Sequence, residues 1–267
     1  MIPPTPIPKS KLAGYGKLLQ KKYRTKQRRF LIEGMHLVEE ALASDWKIDA
    51  LLVSRSFASR GEYPAIARKA AAKKVPVHDA SDRELEKLSD TVTSQGIVGV
   101  VQERMVGMDD ALSGNSRPTL LVALDSISDP GNLGTIIRTC DWFGVDAVWV
   151  NAGTVELYNP KVVRATMGSL FHVPIVVVDD LCRSLEAAKR KGFAILAAVV
   201  GGESILTLMP IPARSIILFG NEAHGLSPEV QKLASSAVAI PRFGKAESLN
   251  VAVSCAAMLT AFRLQGQ

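Results

Sequence analysis

From Thr119 onward the chain repeats one pattern, a short apolar and partly β-branched run followed by a stretch with apolar residues at helical spacing. The runs are TLLVALD, DAVWV, VPIVVV, FAILAAVV, SIILFG and AVAIP, and helices are expected at Gly131, after Pro160, from Asp180, after Ser227 and from Ser248. Strands that are apolar along their whole length, rather than alternately, belong to a sheet covered on both faces. When helices connect them, they run mainly parallel. In such open α/β sheets a ligand sits at the carboxyl ends of the strands.

The first half has the same alternation on a smaller scale. RFLIEG reads as a strand, MHLVEEALAS as a helix, IDALLVS as a strand, and Pro64 to Lys74 as a helix. VPVHDA, a helix from about Asp82 to Leu88 and the strand GIVGVVQ complete this unit. The Gly, Ser, Asn and Pro content of MVGMDDALSGNSRP reads as a linker. The expected organisation is a first domain over 1–105, a linker over 106–118 and a second domain over 119–267, and the length of 267 residues suits two domains.

Charge is unevenly placed. Of the net +6, residues up to Met105 carry nineteen Lys and Arg against twelve Asp and Glu, and the remainder is nearly balanced. Lys9 to Arg29 holds nine basic residues and no acidic one. Such a block is either a solvated arm or a surface that contacts phosphates, where neutralising a polyanion releases condensed counterions. Tyr15 and Tyr23 lie within it, as candidates for stacking on bases.

Several chemistries lack their residues. No GxGxxG follows a strand (the GxG at Gly14 and Gly16 opens no such unit), and there is no GxxxxGK[ST], HExxH or GxSxG. The four histidines and the three distant cysteines, Cys140, Cys182 and Cys255, show no metal-ligand spacing and no disulfide framework, so no metal is expected. No uncharged run approaches a membrane span, and MIPPTPIPKSK has prolines where a signal peptide needs an apolar segment. A cytoplasmic protein with no membrane association is expected.

What remains is three Gly- and Asn-rich stretches, each following a strand: DPGNLGTIIRT, GNEAHGLS and IPRFGKAESLNVAVS. Asn132, Asn221 and Asn250 are each good turn formers. Three together, each before a helix, point to a shared crevice. Arg138 stands alone on a helix with little other charge, either ion-paired with Asp125, Asp129 or Asp141, or functional.

These stretches resemble, in order, the three motifs of the SpoU (TrmH) family of RNA ribose 2′-O-methyltransferases in the SPOUT superfamily. The first half, with RFLIEGMHLVEEAL, is similar to the L30e-like substrate-binding domain found in many members. The resemblance implies an L30e-like α/β domain followed by a SPOUT α/β domain with a C-terminal trefoil knot, although threaded chains are otherwise nearly absent from proteins. It implies S-adenosylmethionine as cofactor and homodimerisation through the C-terminal domain, to which the apolar VAVSCAAMLTAF helix is suited, as it is to plain core burial.

By matching position, the resemblance places Asn132, Arg138, Glu222, Ser248 and Asn250 around the reacting ribose. It places Leu218, Gly220, Asn221, Ile240 and Leu249 at the cofactor, and glycine at 220 would let a ligand approach the backbone. Phosphate contacts fall to Lys21, Lys22, Arg24, Lys26, Arg28 and Arg29 of the basic block. The function expected is S-adenosylmethionine-dependent RNA 2′-O-methylation, with 23S-type ribosomal RNA as substrate because the appended domain resembles an RNA-binding module. A tRNA ribose methyltransferase, or a non-catalytic RNA-binding or ribosome-assembly protein on the same scaffold, remains the alternative. A small-molecule nucleotide-binding enzyme fits the basic block poorly.

Overall fold

The structure, a computed structural model, describes residues 3–90, 94–112, 119–207 and 212–265. The chain divides into two compact units, one of Met1–Arg104 with Glu156–Phe171, the other of Met105–Val155 with His172–Gln267. The excursion Glu156–Phe171 is a difference from a single cut near residue 105. Its physical reason lies in the first unit, where Tyr158 stacks on Phe30 with ring centroids 4.6 Å apart and Phe171 meets Trp46 edge-on. The segment expected as a linker also does more than connect. It contains the helix Met108–Leu112, and Leu112 is buried in the core of the second unit with Val106 and Met108 against it. Residues 113–118 lie outside the described residues.

The first unit is built on β1 (Thr5–Pro6), β2 (Arg29–Glu33), β3 (Ile48–Val53), β4 (Val77–Asp79) and β5 (Ile97–Gln102), in the spatial order β1-β4-β3-β5-β2. The β1, β4 and β3 strands are parallel, and β5 is antiparallel to both β3 and β2. The basic block is not an arm. It forms helices Lys9–Gly16 and Lys21–Gln27 around a 3-10 turn at Lys17–Leu19. Tyr15 and Leu18 pack with Leu31, Ala50, Leu52, Val98 and Val100, so the block covers one face of the sheet. Arg28, with φ +53°, closes the second helix by donating its N–H to the Arg24 carbonyl at 2.7 Å, and β2 follows.

The block's cations therefore divide. Arg24 is 3% exposed, so its expected role at RNA is corrected to a structural one. Its Nε donates to Glu156 at 2.7 Å, Nη2 donates to the same carboxylate, and Nη1 donates to the carbonyls of Leu18 and Leu19 at 2.8 Å each. Tyr15, at 6% exposed, is likewise unavailable for stacking. Arg28 pairs with Glu103 and Arg29 with Asp49, whereas Lys21, Lys22 and Lys26 are exposed.

The second unit holds β6 (Thr119–Asp125), β7 (Ala147–Asn151), β8 (Ile175–Val178), β9 (Ala194–Ser204), β10 (Arg214–Gly220) and β11 (Ser236–Ala239). Their order is β11-β9-β10-β6-β7-β8, and every pairing is parallel, as the continuous apolar runs require. Every residue of β6 is buried. From β6 the chain builds outward through β7 and β8, then returns to the far side of β10. The strand order thus reverses between β6 and β10, the place where a crevice opens at the carboxyl ends.

Two helix starts differ from expectation. Helix Pro130–Trp142 begins one residue before Gly131, because Asp129 caps it and Pro130 occupies its first position, so Pro-Gly-Asn is its first turn rather than a loop. It buries Leu133, Ile136, Ile137 and Cys140. The final helix runs Val251–Gln265, starting after Asn250 rather than at Ser248. Among the described residues no helix is long and apolar enough to cross a membrane, and no group of three or more His, Cys, Asp or Glu side chains is placed to hold a metal.

Candidate active site

Residues Asp125 and Gly220 are register partners at the ends of β6 and β10, so the two loops that follow leave the sheet side by side. Asp125 is buried and ties them together. Its Oδ2 accepts from the Ser227 N–H at 2.8 Å and hydroxyl at 2.7 Å, and its Oδ1 accepts from Asn151 Nδ2 at 2.9 Å and the Ser126 hydroxyl at 3.2 Å. Ser126, with φ +63°, donates its N–H to Asn151 Oδ1 at 2.9 Å and accepts Asn221 Nδ2 on its carbonyl at 2.7 Å.

On this base the three motifs meet. Asn250 caps the final helix, its Oδ1 accepting from the N–H of Ala252 at 2.9 Å and of Val253 at 3.3 Å. That fixes the amide's orientation, so Nδ2 faces Asn132 and donates to its Oδ1 at 2.9 Å. Asn132 in turn must present its Nδ2 to Glu222, donating to Oε1 at 2.9 Å. Glu222 also accepts from the Ser128 N–H at 3.0 Å and hydroxyl at 2.8 Å, and from the Asp129 N–H at 3.1 Å. Partial burial works against its charge. Hydrogen bonds from Asn132 and from the backbone N–H groups of Ser128, Glu222 itself and Asp129 outweigh that and hold its carboxyl down at about 2. Glu222 is an anchored anion and too weak a base to take a proton near neutrality.

The asparagines thus form caps and turns, and Asn132 and Asn250 also meet side by side. Asn221 Oδ1 accepts from Ala223 N–H at 2.9 Å and His224 N–H at 3.2 Å, and Asn221 and Gly225 exchange backbone bonds of 2.9 Å. That tight loop, not an approaching ligand, explains Gly220. A Cβ there would stand 2.1 Å from the Gly225 carbonyl carbon and 2.2 Å from Leu226 N.

The remaining expected residues separate. Arg138 is exposed, six positions past Asn132 and so about 120° around the helix from it. It has no hydrogen-bond or ion-pair partner among the described residues. The aspartates weighed as its partners are otherwise engaged, Asp125 as above, Asp129 as the helix cap and Asp141 with His172 at 2.9 Å. Leu218 lies mid-sheet between Ala123 and Ala197 with its side chain in the core, which leaves its backbone as the part able to meet a ligand. Ile240 is half-buried, and Ser248 and Leu249 are exposed. Asp125, Ser126, Ser128, Asn151 and Ser227 were not picked out from sequence as site residues. Asp125, an acid ending a wholly apolar strand, was the available signal.

Known proteins resemble the chain along nearly its whole length. Residues 119–260 match the SpoU rRNA Methylase family, and residues 11–99 match the MRM3-like substrate binding domain. The chain is 33% identical over 256 residues to the 23S rRNA (guanosine(2553)-2′-O)-methyltransferase RlmP of Bacillus subtilis, covering 96% of both chains. It is 32% identical to the 23S rRNA (guanosine-2′-O-)-methyltransferase RlmB of Neisseria meningitidis over 88% of this chain and 94% of that one. Among solved structures, the AdoMet-bound rRNA methyltransferase of Sinorhizobium meliloti superposes with a TM-score of 0.85 at 30% identity, covering 97% of this chain and 96% of that one. With one profile spanning its catalytic half and relatives aligned nearly end to end, the chain belongs to the SpoU rRNA methylase family.

Proposed function

We propose that this chain transfers the methyl group of S-adenosylmethionine to a ribose 2′-hydroxyl of 23S-type ribosomal RNA. The observation that carries the reading is the line Asn250–Asn132–Glu222, which joins one residue from each motif beside the carboxyl ends of β6 and β10. S-adenosylmethionine, when bound, supplies a methyl already activated on a sulfonium. The chain's own task is to orient the ribose in line and to manage the proton that leaves the hydroxyl. The loop between β11 and the final helix fits such a cofactor. From Pro241 to Leu249 no backbone N–H or C=O has a backbone partner among the described residues, so these groups, apart from the Ala246 carbonyl that accepts from Arg242, are open to an adenine and an amino-acid moiety. Ile240, Leu249 and the Gly220–Asn221 turn would hold it.

Arg138 is an exposed cation with no hydrogen-bond or ion-pair partner among the described residues. An arginine stays protonated, so its fitting role is to grip a substrate phosphate and stabilise charge developing on the 2′-oxygen, rather than to act as base. Asn132 and Asn250 orient the ribose, Ser248 lies beside them on the loop, and Glu222 positions Asn132. Lys21, Lys22, Lys26 and Arg28 supply phosphate contacts from the first unit, and the partner is RNA in the cytoplasm. A homodimer through the C-terminal domain and a trefoil knot belong to this reading. Exposed Trp142 and Val253, on the mutually packed helices Pro130–Trp142 and Val251–Gln265, support the dimer, and a monomer mass by light scattering would overturn it.

The test is methyl transfer from labelled S-adenosylmethionine to ribosomal and transfer RNA, with the modified ribose mapped. Arg138→Ala is expected to lower turnover at least ~10²-fold while leaving cofactor affinity largely intact. Near-normal turnover of that variant on its true RNA would remove Arg138 from the chemistry.

A further inference from the structure

The loop that fits the cofactor also carries an apolar group that the fold does not bury. Phe243 is 97% exposed, the most exposed large apolar side chain among the described residues. Arg242 and Lys245 flank it, and both are exposed. The Arg242 guanidinium lies 3.5 Å from the Ala246 carbonyl, a long contact that spans the tip of the loop. Next to Phe243, a Cβ placed on Gly244 would meet nothing within 4 Å, so the approach is open. The same loop ends at Asn250, which joins the Asn132–Glu222 line.

We infer that Phe243 is a stacking platform for an unpaired base of the RNA substrate, with Arg242 and Lys245 engaging the adjoining phosphates. A bare phenyl ring in water is unfavourable, and two occupants would relieve it: a nucleic-acid base or a second copy of this chain. The flanking cations favour the polyanion. An aromatic between basic side chains is the usual composition of a single-strand surface, where the base covers the ring and the backbone meets the charge. Stacking accepts any base, so Phe243 would contribute affinity and hold the neighbouring nucleotide in place, while the ribose is read at Asn132 and Asn250. This inference rests on the proposed methyltransferase reading and names where its substrate is gripped.

The experiment compares Phe243→Ala, Phe243→Leu and Phe243→Trp with the unaltered full-length protein. It measures RNA affinity on an unmodified ribosomal fragment that the unaltered protein methylates, KM and kcat for that fragment, S-adenosylmethionine affinity and mass by light scattering. Expected is about tenfold weaker RNA binding and a raised KM for Ala and Leu, with recovery by Trp and no change in mass or cofactor affinity. Recovery by Trp but not by Leu separates stacking from simple apolar burial. RNA affinity unchanged in Phe243→Ala, or a lower mass for that variant, overturns the inference, the latter by making the ring a contact between copies. If the unaltered protein methylates no ribosomal RNA, the underlying reading fails instead, a result visible before any variant is made.

Discussion

The basic block from Lys9 to Arg29 and the loop from Ile240 to Asn250 look alike as sequence, since both are polar, cationic and placed beside apolar elements. The structure treats them in opposite ways. The block folds into two helices whose Tyr15 and Leu18 are buried against the sheet, and one of its arginines is 3% exposed. The loop from Arg242 to Asn250 is exposed at every residue. What separates them is spacing rather than charge. Leu12, Tyr15 and Leu18 or Leu19 recur every three to four positions, the period of a helix with one buried face, and the loop has no such recurrence. Counting cations marks a candidate region for a polyanion, but apolar period decides which cations are left exposed.

The largest effect expected from this contrast is at Arg24. Arg24→Ala leaves Glu156 without its cation and the carbonyls of Leu18 and Leu19 without their donor. Removing one partner of a buried pair typically costs about 3–5 kcal/mol, so a large drop in the urea midpoint is expected. Lys22→Ala, on the same helix but exposed, should stay within about 0.5 kcal/mol, while flattening the salt dependence of RNA binding by about 0.7 in log–log slope. If the two variants prove equally stable, the block is an arm after all and the contrast collapses.

An intermediate effect is expected at the junction between loop and fold, Asn250. Its Oδ1 caps the helix and its Nδ2 orients Asn132, two tasks on opposite ends of one amide. Asn250→Ala removes both, costing about 1 kcal/mol for the cap as well as turnover. Asn250→Asp keeps an acceptor for the helix but cannot donate to Asn132. It should therefore melt within a few tenths of a kcal/mol of the parent, by the near-equality of Asn and Asp as caps, and, on the proposed role of Asn132 at the ribose, still lose roughly 10²-fold in kcat from its misplaced amide. Full activity in a stable Asn250→Asp protein would reduce Asn250 to a cap.

How legible all this was in sequence depended on whether local pattern or distant partners decide the outcome. The β6 strand and helix Pro130–Trp142 were readable because a continuous apolar run and an amphipathic period act within a few residues. The convergence of Asn132, Glu222 and Asn250 was foreshadowed by their motifs. Their bonding was not, because they are separated by up to 118 positions and only the sheet order brings them together. Arg24 was misread because its acceptor, Glu156, is 132 residues away. Gly220 was chosen rightly as an obligate glycine but for the wrong neighbour, since the backbone filling its Cβ space is the chain's own.

The smallest expected effect concerns Glu222 and acid. Its carboxyl is held at about 2 in the folded protein, against an unfolded value of 4.5. A group lowered on folding stabilises the folded state fully above its unfolded value and loses that contribution as pH falls through the folded one. The anchoring of motif 2 to motif 1 should thus be intact at neutrality and persist below pH 4.5, fading only toward about 2. Because Glu222 is largely exposed, the change in overall stability should be slight. The sensitive readout is local, the NMR shift of the Asn132 side-chain amide, which donates to Glu222 at 2.9 Å. It should stay constant from neutrality to about pH 4, then move with an apparent midpoint of about 2, and it should not titrate in Glu222→Gln. A midpoint in the ordinary carboxylate range would mean that Asn132, Ser128 and Asp129 do not hold this anion. The line of contacts joining the exposed loop to the packed sheet would then break at its first link.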